Sequence, residues 1–554
     1  MQEPAFVVRS LTYRIDSTPG PKLLLDDISF RLPQKHFTAI IGASGCGKTT
    51  LLRALAGHFT PTNGSIVLLG HRLLDYKRRY PLALGYLPQV SQVHEELTVT
   101  EILEFGARLQ LPVSVNAAVR RQWIGYLIKL AGLESVQNQS YKTLSGGQRR
   151  RVALAEVLIS DPPLLIVDEL TSGLDPQAEA SMMQWLRFLA HEGGKTIVLV
   201  THAVRNLDQT DSMMFMKDGR ILFHGSYQEL HDVTGIHEIE ELYVKNEAEI
   251  PRTMAPQEVP DVPMPQPIRT GGPPSAWRQL QTLVRRQWLL LSRDRMQILL
   301  HAVVLLTFPA LVAVFAMGGL PQVRNLSLNL NGNIVHSLQE QLLYLKDSLS
   351  SASLVSGLIM FQVILLTLAG ANNGSREIAK ERPIWEKERR TGLSSVAYFL
   401  SKLQMVAAFT VLQSFWMTWF VKGICRFPGD FGTQFIVLLL TNLAMGATCL
   451  AISARASSTE KASLLAIYLV GLQLPLSGAV LALPEWLAWI TRPVIAAYWG
   501  WSGYLKSLAD FSLYDIVRQT THTWLATPGL ACAILAAHIL LASALTIFFL
   551  RPKS

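Results

Sequence analysis

Apolar residues are distributed in two different ways along this chain. Over residues 5–245 short β-branched runs, among them 37–41, 164–167 and 196–200, alternate with stretches of helical periodicity, which predicts an α/β domain. From residue 296 the apolar runs lengthen. Six stretches without a charged side chain, near 296–317, 351–371, 403–421, 433–454, 462–484 and 529–550, are each long enough for a helix to cross a bilayer core of roughly 30 Å. A buried soluble helix rarely repeats in this way, so an all-α domain of six transmembrane helices is expected over 296–554. Between the fifth and sixth stretches, residues 485–524 carry only the shorter runs LAWI and AAYWGWSGYL, bounded by Pro484, Arg492, Pro493 and Lys506. Such pieces suit a re-entrant or interfacial element with Trp and Tyr near the headgroups.

The two regions are separated by residues 246–275, where eight prolines and two adjacent glycines stand without any aromatic residue. No packed core can form there, and an extended linker is expected. Residues 276–295 follow with Trp277, Leu280, Leu283, Val284, Trp288 and Leu291 near helical spacing, and Arg285, Arg286, Arg293 and Arg295 among them. This pattern is shared by soluble amphipathic helices. Its place directly before a spanning stretch favours a helix lying at the membrane surface.

Charge sharpens the topology. The chain of 554 residues has a net charge of +9, but its basic residues gather near the ends of the apolar stretches instead of forming one stripe, which argues against a nucleic-acid partner. Arg376, Lys380, Arg382, Lys387, Arg389, Arg390 and Lys402 fall between the second and third stretches, and Arg455 and Lys461 between the fourth and fifth. The opposite loops are poorer, with Arg324 and Lys346 in the first and Lys422 and Arg426 in the second. Lys and Arg accumulate on the cytoplasmic side, so both termini are expected there, in a multi-pass protein of the plasma (inner) membrane. The opening residues lack the charged-then-apolar pattern of a secretion signal. Cys46, Cys425, Cys449 and Cys532 show no metal-ligand spacing and no disulfide framework.

Candidate chemistry lies in the first region. Residues 42–50, GASGCGKTT, come where an apolar run turns into a helical pattern. Glycines at 42, 45 and 47 let backbone N–H groups converge on a polyphosphate at a helix N-terminus, Lys48 can reach the β and γ phosphates, and the Thr49 hydroxyl can hold Mg2+. Ser44 and Thr50 complete this loop. Residues 164–169, LLIVDE, form a buried-strand pattern ending in two acids. Asp168 is suited to Mg2+, and Glu169 to orienting or deprotonating the attacking water. Several P-loop families share these two features. A third narrows the choice: residues 144–158, LSGGQRRRVALAEVL, offer Ser145, Gly146, Gly147 and Gln148 at a helix start, a second phosphate site that one nucleotide on one chain does not need.

With this motif the sequence resembles the ATP-binding cassette family, in which the signature meets the γ-phosphate held by the opposite cassette of a head-to-tail dimer. The resemblance implies further roles. Tyr13 matches the aromatic that stacks on adenine, and Gln89 in GYLPQ the glutamine that touches Mg2+ and senses the membrane domain. Asp175 in SGLD matches the dimer-contacting loop, and His202 in VLVTH the switch histidine beside the γ-phosphate. The cassette-first order with following spans also resembles the G, or White, subfamily, as do the runs QLQTLVRRQWLLLSRDR, EKERRTGLSSVAYFLSKL and LPEWLAWITRP. Leu170, where the family usually has proline, and roughly thirty residues between the first two spans depart from that pattern.

The resemblance implies an ATP- and Mg2+-dependent half-transporter, paired with a second copy or a related half, that exports an amphipathic or lipid-like solute. Within the spans, Gln362, Gln413, Asn442, Gln473 and His538 are polar positions that face a cavity or bond between helices. A rival reading is an ATPase that transmits force to a partner or regulates lipid organisation without carrying a solute through itself. The run 385–390, WEKERR, is the expected coupling element, with a merely solvated basic loop as the alternative.

Overall fold

The computed structural model describes residues 4–16, 20–171, 174–202, 206–234, 273–316, 334–425, 427–481, 483–521 and 523–551. They fall into two compact units, one of Met1–Ser275 with Glu386–Leu393, the other of Ala276–Trp385 with Ser394–Ser554. Most of the proline-rich linker, 246–272, lies outside the described residues.

Among the described residues the first unit contains ten strands: β1 Pro4–Ile15, β2 Lys22–Pro33, β3 Phe37–Gly42, β4 Asn63–Leu68, β5 His71–Arg72, β6 Leu84–Leu87, β7 Leu164–Asp168, β8 Thr196–Val200, β9 Ser212–Lys217 and β10 Arg220–Gly225. Two sheets result. A four-stranded antiparallel sheet has the order β2-β1-β4-β5, and a six-stranded sheet the order β10-β9-β3-β8-β7-β6, parallel except for β10. Strands β3, β7 and β8 are buried at every residue, because helices or the second sheet cover both faces. One core, with Phe6, Phe30, Leu51, Leu55 and Ile166, packs around β1, β2 and the helix Lys48–Leu55. In the parallel register Val200 pairs with both Ile40 and Asp168, so the carboxyl ends of β3, β7 and β8 share one edge. Open α/β sheets place their ligands at that edge.

The second unit is helical. Among the described residues five helices are long and apolar enough to cross a membrane: Arg295–Ala316, the apolar part of Ser351–Arg390, Ser395–Ile424, Phe431–Arg455 and Pro528–Phe549. The expected span 462–484 is not one of them. It forms a helix Thr459–Gln473 that stops before Pro475, then a tight turn Pro475–Ser477 with Gly478 in the left-handed region. Pro475 has no N–H to continue the ladder, and 15 residues reach only about 22 Å. The loop expected between the first two spans is also shortened, because one helix runs from Ile334 to Gly374.

Short helices Glu485–Thr491, Ala496–Lys506 and Ser512–Thr520 occupy the region before the last span. The aromatic rings divide here. Trp486 and Trp489 are exposed, whereas Tyr498, Trp501 and Tyr504 are buried in the core of the helical unit, contrary to the headgroup position expected for them. Trp501 Nε1 donates to Ser356 Oγ at 3.2 Å and Tyr504 Oη to Gln434 Oε1 at 3.2 Å, so their polar tips are satisfied inside the unit.

Helix Ala276–Arg293 turns its polar side inward. Gln279, Thr282, Arg286 and Gln287 are buried with Leu283, while Trp277 and Trp288 are exposed. Gln279 Oε1 accepts from Ser394 N at 2.9 Å and Gln287 Nε2 donates to Ser401 Oγ at 3.0 Å. An exposed apolar stripe on a helix is costly in water and favourable against lipid.

Glycines set the closest helix crossing. A Cβ on Gly374 would press on the backbone of Gly446 and, at 3.1 Å, on Leu450 N, and one on Gly370 would press on Asn442. Only hydrogen at these positions lets helices Ile334–Gly374 and Phe431–Arg455 approach so closely.

Candidate active site

The phosphate loop leaves β3 at Gly42 and enters helix Lys48–Leu55 through Gly47, which has φ 105°. A Cβ on Gly47 would stand 2.7 Å from Leu24 O, so both backbone angle and space require glycine. Ser44 is exposed and Gly45 has open space around its Cα, while Thr50 lies in the first helical turn. Lys48 is buried and its Nζ donates to Gly42 O and Ala43 O, both at 2.8 Å, which holds the ammonium over the loop. Cys46 is buried, and burial pushes its thiol up from the ordinary range, so it is poorly suited to be a nucleophile.

Thr49 Oγ1 donates to Asp168 Oδ1 at 3.3 Å. A hydroxyl and a carboxylate from two different elements thus converge, and this hard-oxygen pair fits Mg2+. Burial raises the Asp168 carboxyl above its usual range, and the charge of Glu169 adds to that, while the Thr49 hydroxyl, Arg53 and Lys48 oppose it.

Glu169 follows β7 with φ 51°, in the left-handed region that a residue with a side chain adopts only at some cost. Its N–H donates to Val200 O at 3.0 Å, which fixes the turn against β8. Gln89 Nε2 donates to Glu169 Oε2 at 2.5 Å, and His202 Nε2 lies 3.0 Å from Oε1. Gln89 stands two residues beyond β6 and His202 two beyond β8. Three neighbouring strand ends therefore bring an amide, a carboxylate and an imidazole into one hydrogen-bonded line.

The other expected residues stand apart from this cluster. Ser145 caps helix Gly146–Val157: its Oγ accepts from Gln148 N at 3.3 Å, and its N–H donates to Gln148 Oε1 at 3.0 Å. Ser145 and Gly146 are exposed and Gly147 half-buried, and among the described residues no hydrogen bond joins them to the phosphate loop. Asp175 caps helix Pro176–His191, accepting from Ala178 N at 2.8 Å. Tyr13 is half-buried, its ring stacked on Phe59 with centroids 4.0 Å apart.

Arg150 was missed by sequence reasoning. From the helix that begins at Ser145 its Nη1 donates to Glu169 O, tying that helix to the acid turn. The run Arg149–Arg151 was the available signal, but which of the three points at Glu169 depends on the tertiary packing.

In the helical unit, Gln413, Asn442 and Asn373 meet. Asn373 Nδ2 donates to Gln413 Oε1 at 2.8 Å, and Asn442 Nδ2 reaches the same oxygen at 3.4 Å and Ser414 Oγ at 3.2 Å. Gln473 Oε1 accepts from Ala497 N at 3.0 Å, and His538 Nε2 lies 2.6 Å from Pro493 O. Four of the five polar positions thus bond within the unit; Gln362 is fully buried and its amide atoms have no partner among the described residues.

Residues 25–172 match the family model for an ABC transporter, and residues 278–504 that for an ABC-2 type transporter. The ABC transporter ATP-binding/permease protein Rv1747 of Mycobacterium tuberculosis is 30% identical over 537 residues, covering 92% of this chain and 58% of that protein. Nod factor export ATP-binding protein I of Rhizobium etli is 32% identical over 243 residues, 44% of this chain and 76% of that protein. The chain belongs to the ATP-binding cassette transporter family. ABC transporter G family member 20 of Dictyostelium discoideum is 31% identical over 227 residues, 41% of this chain and 30% of that protein, within the subfamily that the cassette-first order resembles. This ABC chain spans little more than half of the Mycobacterium relative and about a third of the Dictyostelium one.

Proposed function

We propose that this protein is an ATP-hydrolysing half-transporter that exports an amphipathic or lipid-like solute from the cytoplasmic side, as a dimer of identical or related halves. The observation that carries this reading is the line Gln89, Glu169, His202 at the ends of β6, β7 and β8, beside the Thr49–Asp168 pair. Glu169 takes the proton of the attacking water, His202 holds the carboxylate and faces the γ-phosphate, and Lys48 grips the β and γ phosphates. Thr49, Asp168 and Gln89 would hold Mg2+, which supplies charge neutralisation on the phosphate oxygens. Tyr13, backed by Phe59, is assigned to adenine.

A dimer explains the two-part site. Ser145, Gly146, Gly147 and Gln148 form an accessible helix N-terminus that does not serve the phosphate loop of its own chain, so they close on a nucleotide held by the other copy, with Asp175 at the junction. The name of the Rhizobium relative, a Nod factor export protein, supports the outward direction.

In this reading 1–245 is the cassette, 246–275 a linker, 276–295 an interfacial helix and 296–554 the membrane domain, with both termini cytoplasmic and the chain in the plasma (inner) membrane. The stretch 462–484 then crosses as a broken helix. Residues 385–390 carry the cassette's motion, since Glu386–Leu393 groups with the first unit while the helix that leads into it, Glu377–Arg390, begins in the second.

Reconstitution in liposomes with Mg-ATP tests the proposal. Hydrolysis stimulated by a particular solute, and ATP-driven movement of that solute, are expected. Absence of hydrolysis in every assembly containing a second copy or related half overturns it, and hydrolysis that moves no solute favours the force-transmitting reading.

A further inference from the structure

Helix Glu377–Arg390 is gripped along its first half by residues of the helical unit. Ser453 Oγ accepts from the N–H groups of Ile378 and Ala379 at 3.1 and 2.9 Å, satisfying two donors that the first helical turn leaves free. Arg382 donates to the carbonyls of Ala454 and Ala456 at the end of helix Phe431–Arg455. The third grip is ionic. Lys402, 1% exposed and carried by helix Ser395–Cys425, places its Nζ 2.9 Å from Glu381 Oε1 and 3.3 Å from Glu377 Oε2.

Glu377 and Glu381 are one turn apart on a single helix face, and Trp385 is one turn further. Trp385 stacks on Tyr398 with centroids 4.4 Å apart, and Tyr398 Oη donates to Glu381 Oε2 at 3.4 Å. Lys402 and Tyr398 are themselves one turn apart on their own helix. The two helices therefore meet through matched faces, an ion cluster beside a ring stack. An ammonium so deeply buried cannot leave its carboxylates without a heavy desolvation cost, so rolling or sliding at this contact is penalised far more than at an apolar seam.

The last turn of the same helix belongs to the first unit. There Lys387 Nζ donates to both carboxylate oxygens of Glu156 at 2.7 and 2.9 Å and to Gln92 O at 2.6 Å. Gln92 lies three residues after Gln89, and Glu156 lies on the helix that Ser145 caps. Two of the cassette's nucleotide-facing elements, the segment after Gln89 and the helix capped by Ser145, thus meet on one lysine of this helix.

We propose that Lys402 is a positioning residue that locks helix Glu377–Arg390 to helix Ser395–Cys425, so that displacement delivered at Lys387 reaches the membrane helix undiminished. This rests on the reading of residues 385–390 as the coupling element. The role of Lys402 is to make two helices one lever.

The test uses the full-length protein in liposomes and reads amide exchange with and without Mg-ATP, in a Glu169→Gln background, at residues 386–393 and 395–404. The parent is expected to change at both. Lys402→Met combined with Glu377→Gln and Glu381→Gln leaves no orphaned charge; it should keep the change at 386–393 and lose the change at 395–404 by at least about fivefold. Lys402→Arg should keep both. Glu381→Gln alone, with Glu377 still present as counter-ion, should lose part of the change at 395–404 and serves if the triple variant does not fold. A native change at 395–404 in the triple variant, or in Glu381→Gln if the triple does not fold, overturns the role of Lys402 and leaves the coupling reading intact. No change at 386–393 in the parent overturns the coupling reading and the lever with it.

Discussion

The cassette and the helical unit treat polar groups in opposite ways. Around Glu169 the polar line is open: the His202 side chain is 42% exposed, Gln89 is exposed, and the acid sits on a turn with φ 51°. Lys402, Gln413, Asn373 and Asn442 are buried, Lys402 closing on two carboxylates and the three amides on one another. Gln89 and His202, proposed to change partners during a reaction, are kept near solvent beside an acid whose backbone is held under some strain. Groups that fix one helix against another are desolvated, where every lost partner is expensive. Polar burial in the helical unit therefore goes with helix-to-helix fixation, whereas in the cassette Lys48 and Asp168 are buried and the strand-end groups Gln89 and His202, proposed to do chemistry, stay near solvent.

The strongest attack on that contrast is Glu169→Gln. Removing a general base costs roughly 10²- to 10⁴-fold in rate, so turnover should vanish while nucleotide binding and melting temperature stay near native. A variant that still hydrolyses ATP at close to the parental rate would show that the open line is not catalytic. Next is Gly374→Leu, whose side chain has no room against Gly446 and Leu450. Overpacking costs typically 1–3 kcal/mol and occasionally more, so thermal stability in detergent should fall sharply, with the cassette's nucleotide affinity unchanged.

A smaller effect is expected for Gln413→Leu. It strands the buried amides of Asn373 and Asn442, at a cost of about 1–3 kcal/mol in the stability of the helical unit, and should leave basal ATPase activity untouched. If activity fell and stability did not, the division between mechanical and chemical polar groups would fail.

The smallest effect concerns His58, a half-buried cassette group outside the strand-end line. Burial lowers His58 from 6.5 to about 3, and Arg390, Lys77 and Arg53 push in the same direction. A histidine with a depressed folded-state pKa contributes stability that is present above pH 6.5 and is lost as pH falls toward 3. The loss is roughly 1.4 kcal/mol per pH unit at most, before screening by solvent. Melting curves of the native protein should therefore shift downward between pH 6.5 and 5, and His58→Gln should flatten that dependence.

Much of the candidate site was legible because each of its parts is a local arrangement. A strand, a glycine turn and a helix in immediate succession are enough to specify Gly42–Thr50, and an apolar run ending in two acids is enough to specify Asp168 and Glu169. Arg150, by contrast, is one of three consecutive arginines, and only the packing of its helix selects it. Helix Ala276–Arg293 was placed by its period, yet the period alone did not reveal that Gln279 and Gln287 point inward and the tryptophans outward, because helical spacing defines two faces without naming the buried one.

Composition and hydropathy determined that a nucleotide-type α/β unit precedes a lipid-compatible helical one, since uncharged runs of such length have no other low-energy solvent. Tertiary structure decided the rest: that Pro475 and Gly478 break the fifth stretch, that residues following two neighbouring strands converge on Glu169, and that Lys402 finds Glu377 and Glu381 twenty-five and twenty-one positions away. The physical reason is range. Backbone preference and hydrophobic period act over a few residues and can be read in order, whereas hydrogen bonds and ion pairs act over a few ångströms and depend on what the fold brings near.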